Sequence, residues 1–411
     1  KRIVFFSGVG GFSSLARISA LARSLDSGEY DVVICGDARA IAGFERESRT
    51  LIPISCLSPD RVNGVTERGA PLFDMETIEK HIWEDLRIIR RTVPDVVVGD
   101  MRQSLTVSCK LAGLPHVNVI NAQWSPYARA SFELPVQQAG GAFGFEPIAR
   151  MIASAAAPLA FACHVLPLNL VRSKYGLPPA DWNMKHSYSA GDFVVYPDIE
   201  NIVPARGLPD NHLYLGAVLE NSDARLPDWW DEVPADRPIV HLNLGDLGER
   251  RLQQIALDTL GRMPLSVICS TTPFGRVPNP PANAYMADYL PGVGAAKRSQ
   301  LVICNGGNFA AQHALAGSAP VLGVISNMDQ RVFTKALKSR GAAEFIEGRQ
   351  ANQPALERMV YQMLQRQSYR MAAERLSVLY ESAAASLKFK ALIRRAAGDA
   401  VTDTVTARGA L

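Results

Sequence analysis

The chain is 411 residues long, with 43 Lys and Arg against 40 Asp and Glu, 47% apolar and 20% charged residues. At about 150 residues per domain this length predicts two or three domains, each with a sizeable core. A formal charge of +3 excludes an extended basic groove for nucleic acid, and the apolar fraction excludes a disordered chain.

Ile3 to Phe6 is a β-branched and aromatic run, followed by Ser7-Gly8-Val9-Gly10-Gly11 and then by apolar residues at Leu15, Ile18, Leu21, Ala22 and Leu25. The pattern predicts strand, glycine turn and helix, with Ser13 or Ser14 as N-cap and Gly28 past the end. Asp31 to Cys35 reads as the next strand. A polar helix between Met75 and Arg91 carries His81 and Trp83, which either line an acceptor mouth or belong to a solvated face. Asp95 to Gly99, Ser104 to Ala112 and His116 to Ile120 predict strand, helix, strand, a βαβ unit of a parallel sheet. Ile148 to Val171 is the most apolar long stretch, but Arg150, His164 and two prolines interrupt it. It predicts a core helix or an apolar substrate wall rather than a transmembrane span.

Pro197 to Pro234, rich in Pro, Asp and Gly, predicts the boundary between two halves, with the linker near Ile199 to Asn211 and a strand-like Leu213 to Val218 beyond it. The grammar then restarts: Pro238 to Leu244 is a strand running into Gly245-Asp246-Leu247-Gly248 and a helix from about Glu249. Leu265 to Cys269, Leu301 to Cys304 and Ala319 to Val324 are further strands. Asn305-Gly306-Gly307-Asn308 leads into a helix over Phe309 to Ala316, with Asn308 as N-cap and Gly317 as C-cap. Ligands of such open α/β sheets bind outside the carboxyl edges, which places one between the two halves.

The helix after Gly306 and Gly307 offers open N–H groups and a positive dipole end, suited to a phosphate; a plain tight turn explains the same residues. In the first half, Gly8-Val9-Gly10-Gly11-Phe12-Ser13 departs from a dinucleotide fingerprint at Ser13. With Asp37 as the ribose acid, an NAD(P)-binding oxidoreductase remains an alternative. The six cysteines contain no CxxC pair and the histidines no HExxH spacing, so the prediction is no metal site and buried thiols in a reducing cytoplasm. The opening apolar run is too short for a signal-peptide core.

Asp288-Tyr289-Leu290-Pro291, Leu301 to Cys304, Asn305-Gly306-Gly307, Ala314-Leu315-Ala316-Gly317, Pro320 and Asp329-Gln330 resemble, in this order, the donor-binding signature of the GT-B glycosyltransferases. These are the nucleotide-sugar enzymes of macrolide and plant secondary metabolism. Asn169 to Arg172, Tyr175 to Pro179 and Tyr214 to Val218 resemble further stretches, so the likeness spans nearly the whole chain. It implies an α/β fold of two Rossmann-like, doubly wound domains facing across a cleft. Residues 1–205 would bind the acceptor and 206–385 the donor, with a final helix in 386–411 crossing back to the first domain. The resemblance assigns Gly245, Asn305, Gly306, Gly307, Asn308, Phe309 and His313 to the donor nucleotide, and Asp329 and Gln330 to hydroxyls of the transferred sugar. Phe12, Ser13 and Trp124 fall on the acceptor side.

Four positions depart from that family. Asn305 replaces a histidine, His313 a ribose-binding glutamate, and Asp246 a serine or threonine near the diphosphate. Phe12 stands where the resemblance places the catalytic histidine, and phenylalanine cannot take a proton. Asp100 matches the aspartate that orients that histidine and becomes the candidate base; otherwise the acceptor is already anionic or nucleophilic, or catalysis is lost. The expectation is an inverting, metal-independent transfer of sugar from a UDP or TDP sugar to a small acceptor. The alanine-rich region from Phe143 to Phe161 suggests a hydrophobic acceptor face, as in a natural-product aglycone or lipid, with core packing as the alternative. No cofactor is expected beyond the nucleotide-sugar co-substrate, nor a nucleic-acid partner, and the chain would be a monomer or homodimer. The alternatives are a degenerate relative acting as a ligand-binding or auxiliary protein and, further off, the oxidoreductase. Lys388, Lys390, Arg394 and Arg395 mark the tail helix as basic, with a membrane surface as a rival contact.

Overall fold

Apolar runs such as Ile3 to Phe6 and Leu301 to Cys304 are buried on both faces, as parallel strands are when helices cover each side of a sheet. The computed structural model describes residues 1–42, 49–67, 70–129, 146–220, 225–245, 249–271, 275, 277, 279–380 and 384–398. Its strands form two sheets, every pairing parallel.

The first sheet holds β1 (Arg2–Ser7), β2 (Asp31–Gly36), β3 (Thr50–Pro53), β4 (Val96–Asp100), β5 (His116–Val119), β6 (Phe193–Tyr196) and β7 (His212–Tyr214) in the order 3-2-1-4-5-6-7. The second holds β8 (Ile239–Asn243), β9 (Ser266–Ser270), β10 (Ala284–Ala287), β11 (Leu301–Cys304), β12 (Val321–Ile325) and β13 (Ala343–Glu347) in the order 10-9-8-11-12-13. Helices of the first half are α1 (Phe12–Arg23), α2 (Ala38–Ala42), α3 (Pro59–Glu67), α4 (Met75–Thr92), α5 (Leu105–Ala112), α6 (Glu146–Lys174) and α7 (Met184–Tyr188). Those that follow are α8 (Arg250–Leu260), α9 (Gly292–Arg298), α10 (Asn308–Ala316), α11 (Met328–Lys338), α12 (Gln353–Gln365), α13 (Gln367–Ser377) and α14 (Ala384–Ala396).

One face of the first sheet packs on α1 and α14, where Phe389 meets Phe5 with ring centroids 6.1 Å apart; the other packs on α4 and α5 through Ile88, Ile89, Leu105 and Cys109. The last helix therefore lies on the first sheet, anchored further by Lys388 Nζ on Tyr214 O and by Arg394 on Glu29. The first sheet runs past residue 205: β7 pairs with β6 through His212, Leu213 and Tyr214, because the alternating stretch after the proline-rich segment still has an open strand edge to join. The crossover between the sheets thus lies after Tyr214.

Local starts differ from expectation at two helices. Gly11, at φ 123°, opens α1 in place of Ser13 or Ser14, and Gly307 opens α10 in place of Asn308. In both, the polar side chain is drawn into tertiary hydrogen bonds instead. His81 is buried edge-on against Phe73 rather than lining a mouth, and Trp83 is exposed. Asp37 accepts from the N–H groups of Arg39 and Ala40 through Oδ1 and so starts α2. Among the described residues no helix is long and apolar enough to cross a membrane. Asp246 lies outside the described residues, as do Phe143 to Phe145 and the tail beyond 398.

Candidate active site

Each sheet order reverses once, between β1 and β4 and between β8 and β11, and a crevice opens where strands diverge to opposite sides. The register sets Ser7 beside Asp100 at one carboxyl edge and Asn243 beside Cys304 at the other. The two edges line one cleft.

On the first edge the chain turns tightly after β1. A Cβ on Gly8 would sit 1.9 Å from Met101 O, and Met101 itself is held at φ 52°. Strain of this kind at a non-glycine residue persists where the surroundings fix it, and here it aims the end of β4 into the cleft. Asp100 is closed in: its side chain is 1% exposed, Arg17 bonds it through Nε at 2.9 Å and Nη2 at 2.6 Å, and Ser14 Oγ approaches at 3.2 Å. Arg17 also reaches Asn121 Oδ1 at 2.7 Å. Phe12, Ser13 and Trp124 line the same cleft, and the Phe12 ring lies 5.1 Å from that of Tyr289 across it.

The second edge is built around α10. Gly306 has φ 74°, and a Cβ there would lie 2.4 Å from Thr334 Oγ1, so this turn needs glycine. Asn305 Oδ1 accepts from Gly307 N–H at 2.9 Å, which shapes the loop but leaves the helix without a side-chain cap. The N–H groups of the first turn have no intrahelical acceptor, and Asn308, Phe309 and Ala310 line the cleft. Gly245, at φ 63°, approaches Asn305 from β8.

Between the edges runs a polar network that joins the halves. Asn308 Nδ2 donates to Asp198 Oδ1 at 2.6 Å, Gln312 Nε2 donates to the same oxygen at 2.8 Å, and Ala122 N–H donates to Asp198 Oδ2 at 2.6 Å. Gln123 Nε2 reaches both Asn308 Oδ1 and Asp329 Oδ1, and Trp124 Nε1 reaches Asp329 Oδ1 at 2.7 Å. Burial pushes the Asp198 carboxyl up to about 6 against these donors and Arg17, and raises that of Asp329 as well.

The predicted donor residues therefore meet in one place, with three changes of role. Asp329 already receives two donors from the first half on Oδ1. Gln330 gives its carbonyl oxygen to a capping box with Asn327, leaving its buried Nε2 without a partner among the described residues. His313, expected at the ribose, has both ring nitrogens engaged within the protein: Nδ1 donates to Phe309 O at 2.7 Å and Nε2 accepts from Glu220 N–H at 3.1 Å. Sequence reasoning passed over Arg17, Gln123, Asp198 and Glu220, because isolated polar residues in helices and connectors carry no local signal. It also missed His241, buried in the cleft wall, whose imidazole burial pushes down to about 4.

No protein-family model matches the chain. It is 38% identical over 377 residues to a PGL/p-HBAD biosynthesis glycosyltransferase of Mycobacterium tuberculosis (strain ATCC 25177 / H37Ra), covering 92% of this chain and 88% of the relative. A PGL/p-HBAD biosynthesis rhamnosyltransferase of Mycobacterium bovis (strain BCG / Pasteur 1173P2) is 38% identical over 382 residues, covering 92% and 84%. The structure of spinosyn rhamnosyltransferase SpnG complexed with thymidine diphosphate superposes with a TM-score of 0.68 at 16% identity, covering 96% of this chain and all of that one. On the sequence match and the shared GT-B fold, the chain belongs to the family of the PGL/p-HBAD biosynthesis glycosyltransferases.

Proposed function

We propose that this glycosyltransferase moves a sugar from a thymidine or uridine diphosphate sugar to a small, partly hydrophobic acceptor, with inversion and without a metal. The observation that carries the reading is the uncapped N-terminus of α10 at the donor edge, set across the cleft from Asp100 at the acceptor edge. A diphosphate leaving group there meets N–H donors and the positive end of the helix, which stabilise charge as it develops. Among the described residues no three His, Cys, Asp or Glu are grouped to hold a cation that would share this task. The thymidine diphosphate named for the SpnG structure makes that nucleotide the first probe. Val9, Val62, Leu72 and Met101 give the acceptor side its apolar surface. An acceptor resting there attacks from the face opposite the donor phosphates, and attack from that side inverts.

The acceptor proton is assigned to Asp100. A carboxylate offers about four acceptor sites, of which Arg17 and Ser14 occupy three. Ser14, which lines the cleft, links the acceptor hydroxyl to that carboxylate. Removing a general base costs about 10²- to 10⁴-fold, so Asp100→Asn should lower transfer by that order while nucleotide binding persists. Release of nucleoside diphosphate from TDP and UDP sugars, with a panel of acceptors, measures both. A transfer rate unchanged in Asp100→Asn removes Asp100 from the proton path. Phe12 and the enclosure of Asp100 favour a second reading, a binding protein without turnover. Nucleotide binding with no release for any acceptor would select it.

A further inference from the structure

Beside Asp288 and Asp329, a further carboxylate lines the cleft on the donor side. Glu220 follows β7 in the connection to the second sheet and is 7% exposed. Its backbone N–H donates to His313 Nε2 at 3.1 Å, and the opposite ring nitrogen donates to Phe309 O within α10 at 2.7 Å. These two bonds fix the imidazole as the Nδ1–H tautomer and tie the connector to the helix. The ring packs closely on the Gly292 backbone of α9, where an added Cβ would lie 2.8 Å from His313 Cδ2.

The Glu220 side chain is held from the other side. Tyr289 donates its hydroxyl to Oε2 at 2.8 Å, and among the described residues it is the carboxylate's one hydrogen-bond donor. A carboxylate offers about four acceptor sites, so most of this buried group's capacity is unspent, and burial raises its pKa accordingly. Neutral hydroxyl donors entering from the cleft would satisfy it without adding charge to the wall. The level of His313 along α10 is five residues past Asn308, about 7.5 Å at 1.5 Å per residue. Glu220 lines the same cleft as Asn308 and Phe309 of that first turn.

We infer that Glu220 binds the ribose hydroxyls of the nucleoside diphosphate whose phosphates rest at the start of α10, with His313 as its positioning residue. The assignment rests on the donor reading above. The acceptor is carried by the connector, and the histidine on the helix holds the connector in place.

The test is calorimetric binding to the full chain of two ligand pairs, UDP with 2′,3′-dideoxy-UDP and TDP with 3′-deoxy-TDP. Hydrogen bonds to a charged group are worth about tenfold in affinity or more, so the wild-type protein should prefer the hydroxylated member by at least that factor. Glu220→Ala should erase the preference by weakening the hydroxylated ligand alone. Glu220→Gln keeps the shape and a neutral acceptor, and should retain a reduced preference even where the alanine variant folds poorly. A purely structural strut would weaken both members of a pair equally. Variants that discriminate as strongly as the wild type overturn the assignment and leave the donor reading standing. Wild-type protein that binds neither UDP nor TDP overturns both.

Discussion

Gly306 shows how little freedom the donor loop has at single residues. Its φ of 74° is unfavourable for any side chain, and an added Cβ would lie 2.4 Å from Thr334 Oγ1 and 2.9 Å from Ile325 Cγ2. Thr334 cannot yield easily, because its hydroxyl donates to Gly306 O at 3.0 Å. Gly306→Ala should cost about 1–3 kcal/mol of stability and weaken nucleoside diphosphate binding, read by urea unfolding and calorimetry. A variant with unchanged unfolding midpoint and affinity would show that the loop relaxes freely. The glycine pair was legible because a strand-to-helix turn of that composition has few other uses. The uses of Asn308, Gln330 and His313 were not. Their partners are Asp198, Asn327 and Glu220; Asp198 lies in the first half and Glu220 in the connector, so for Asn308 and His313 only the folded register brings the partners together.

At the scale of elements, α11 carries Asp329 and Gln330, the residues expected at the sugar, in its first turn, and its start is fixed by a capping box. Asn327 Oδ1 accepts from Gln330 N–H at 3.0 Å while Gln330 Oε1 accepts from the N–H groups of Asn327 and Ser326. Losing an N-cap of this kind costs about 1 kcal/mol. Because Asp329 sits between the two boxed residues, Asn327→Ala should weaken a nucleotide sugar more than the free nucleoside diphosphate. Equal loss for both ligands would separate α11 from the sugar. The interior strands were readable as continuous apolar runs, except β6, which sequence reasoning passed over. The edge strands β3, β10 and β13 were not, since their residues are half-buried and mix polar with apolar side chains, which leaves neither an unbroken run nor a clean alternation to find.

Across the whole molecule the halves are joined by the connector, by α14 on the first sheet, and by the polar network centred on Asp198. The repeated strand–turn–helix pattern predicted two similar halves, but the boundary was placed before β7, because a proline-rich segment looks like a linker whether or not the next strand still belongs to the first sheet. The network makes the union of the halves depend on pH in a defined direction. The Asp198 carboxyl stands at about 6 in the folded protein, mainly through burial, against about 3.9 in an unfolded chain. Between those values the folded state holds a proton that the unfolded chain has released. The group's contribution is therefore fully present below about pH 4 and is lost as the pH rises through about 6. Two units correspond to about 3 kcal/mol. Asp198→Asn cannot titrate, so the difference in unfolding free energy between wild type and variant should move by about 2 kcal/mol of that total in favour of the variant from pH 4.5 to 7, the rest having been lost below pH 4.5. Chemical unfolding at several pH values measures it. A difference that stays flat across this range would mean that Asn308, Gln312 and Ala122 hold Asp198 as a permanent anion, and that the joint between the halves does not respond to pH through this residue.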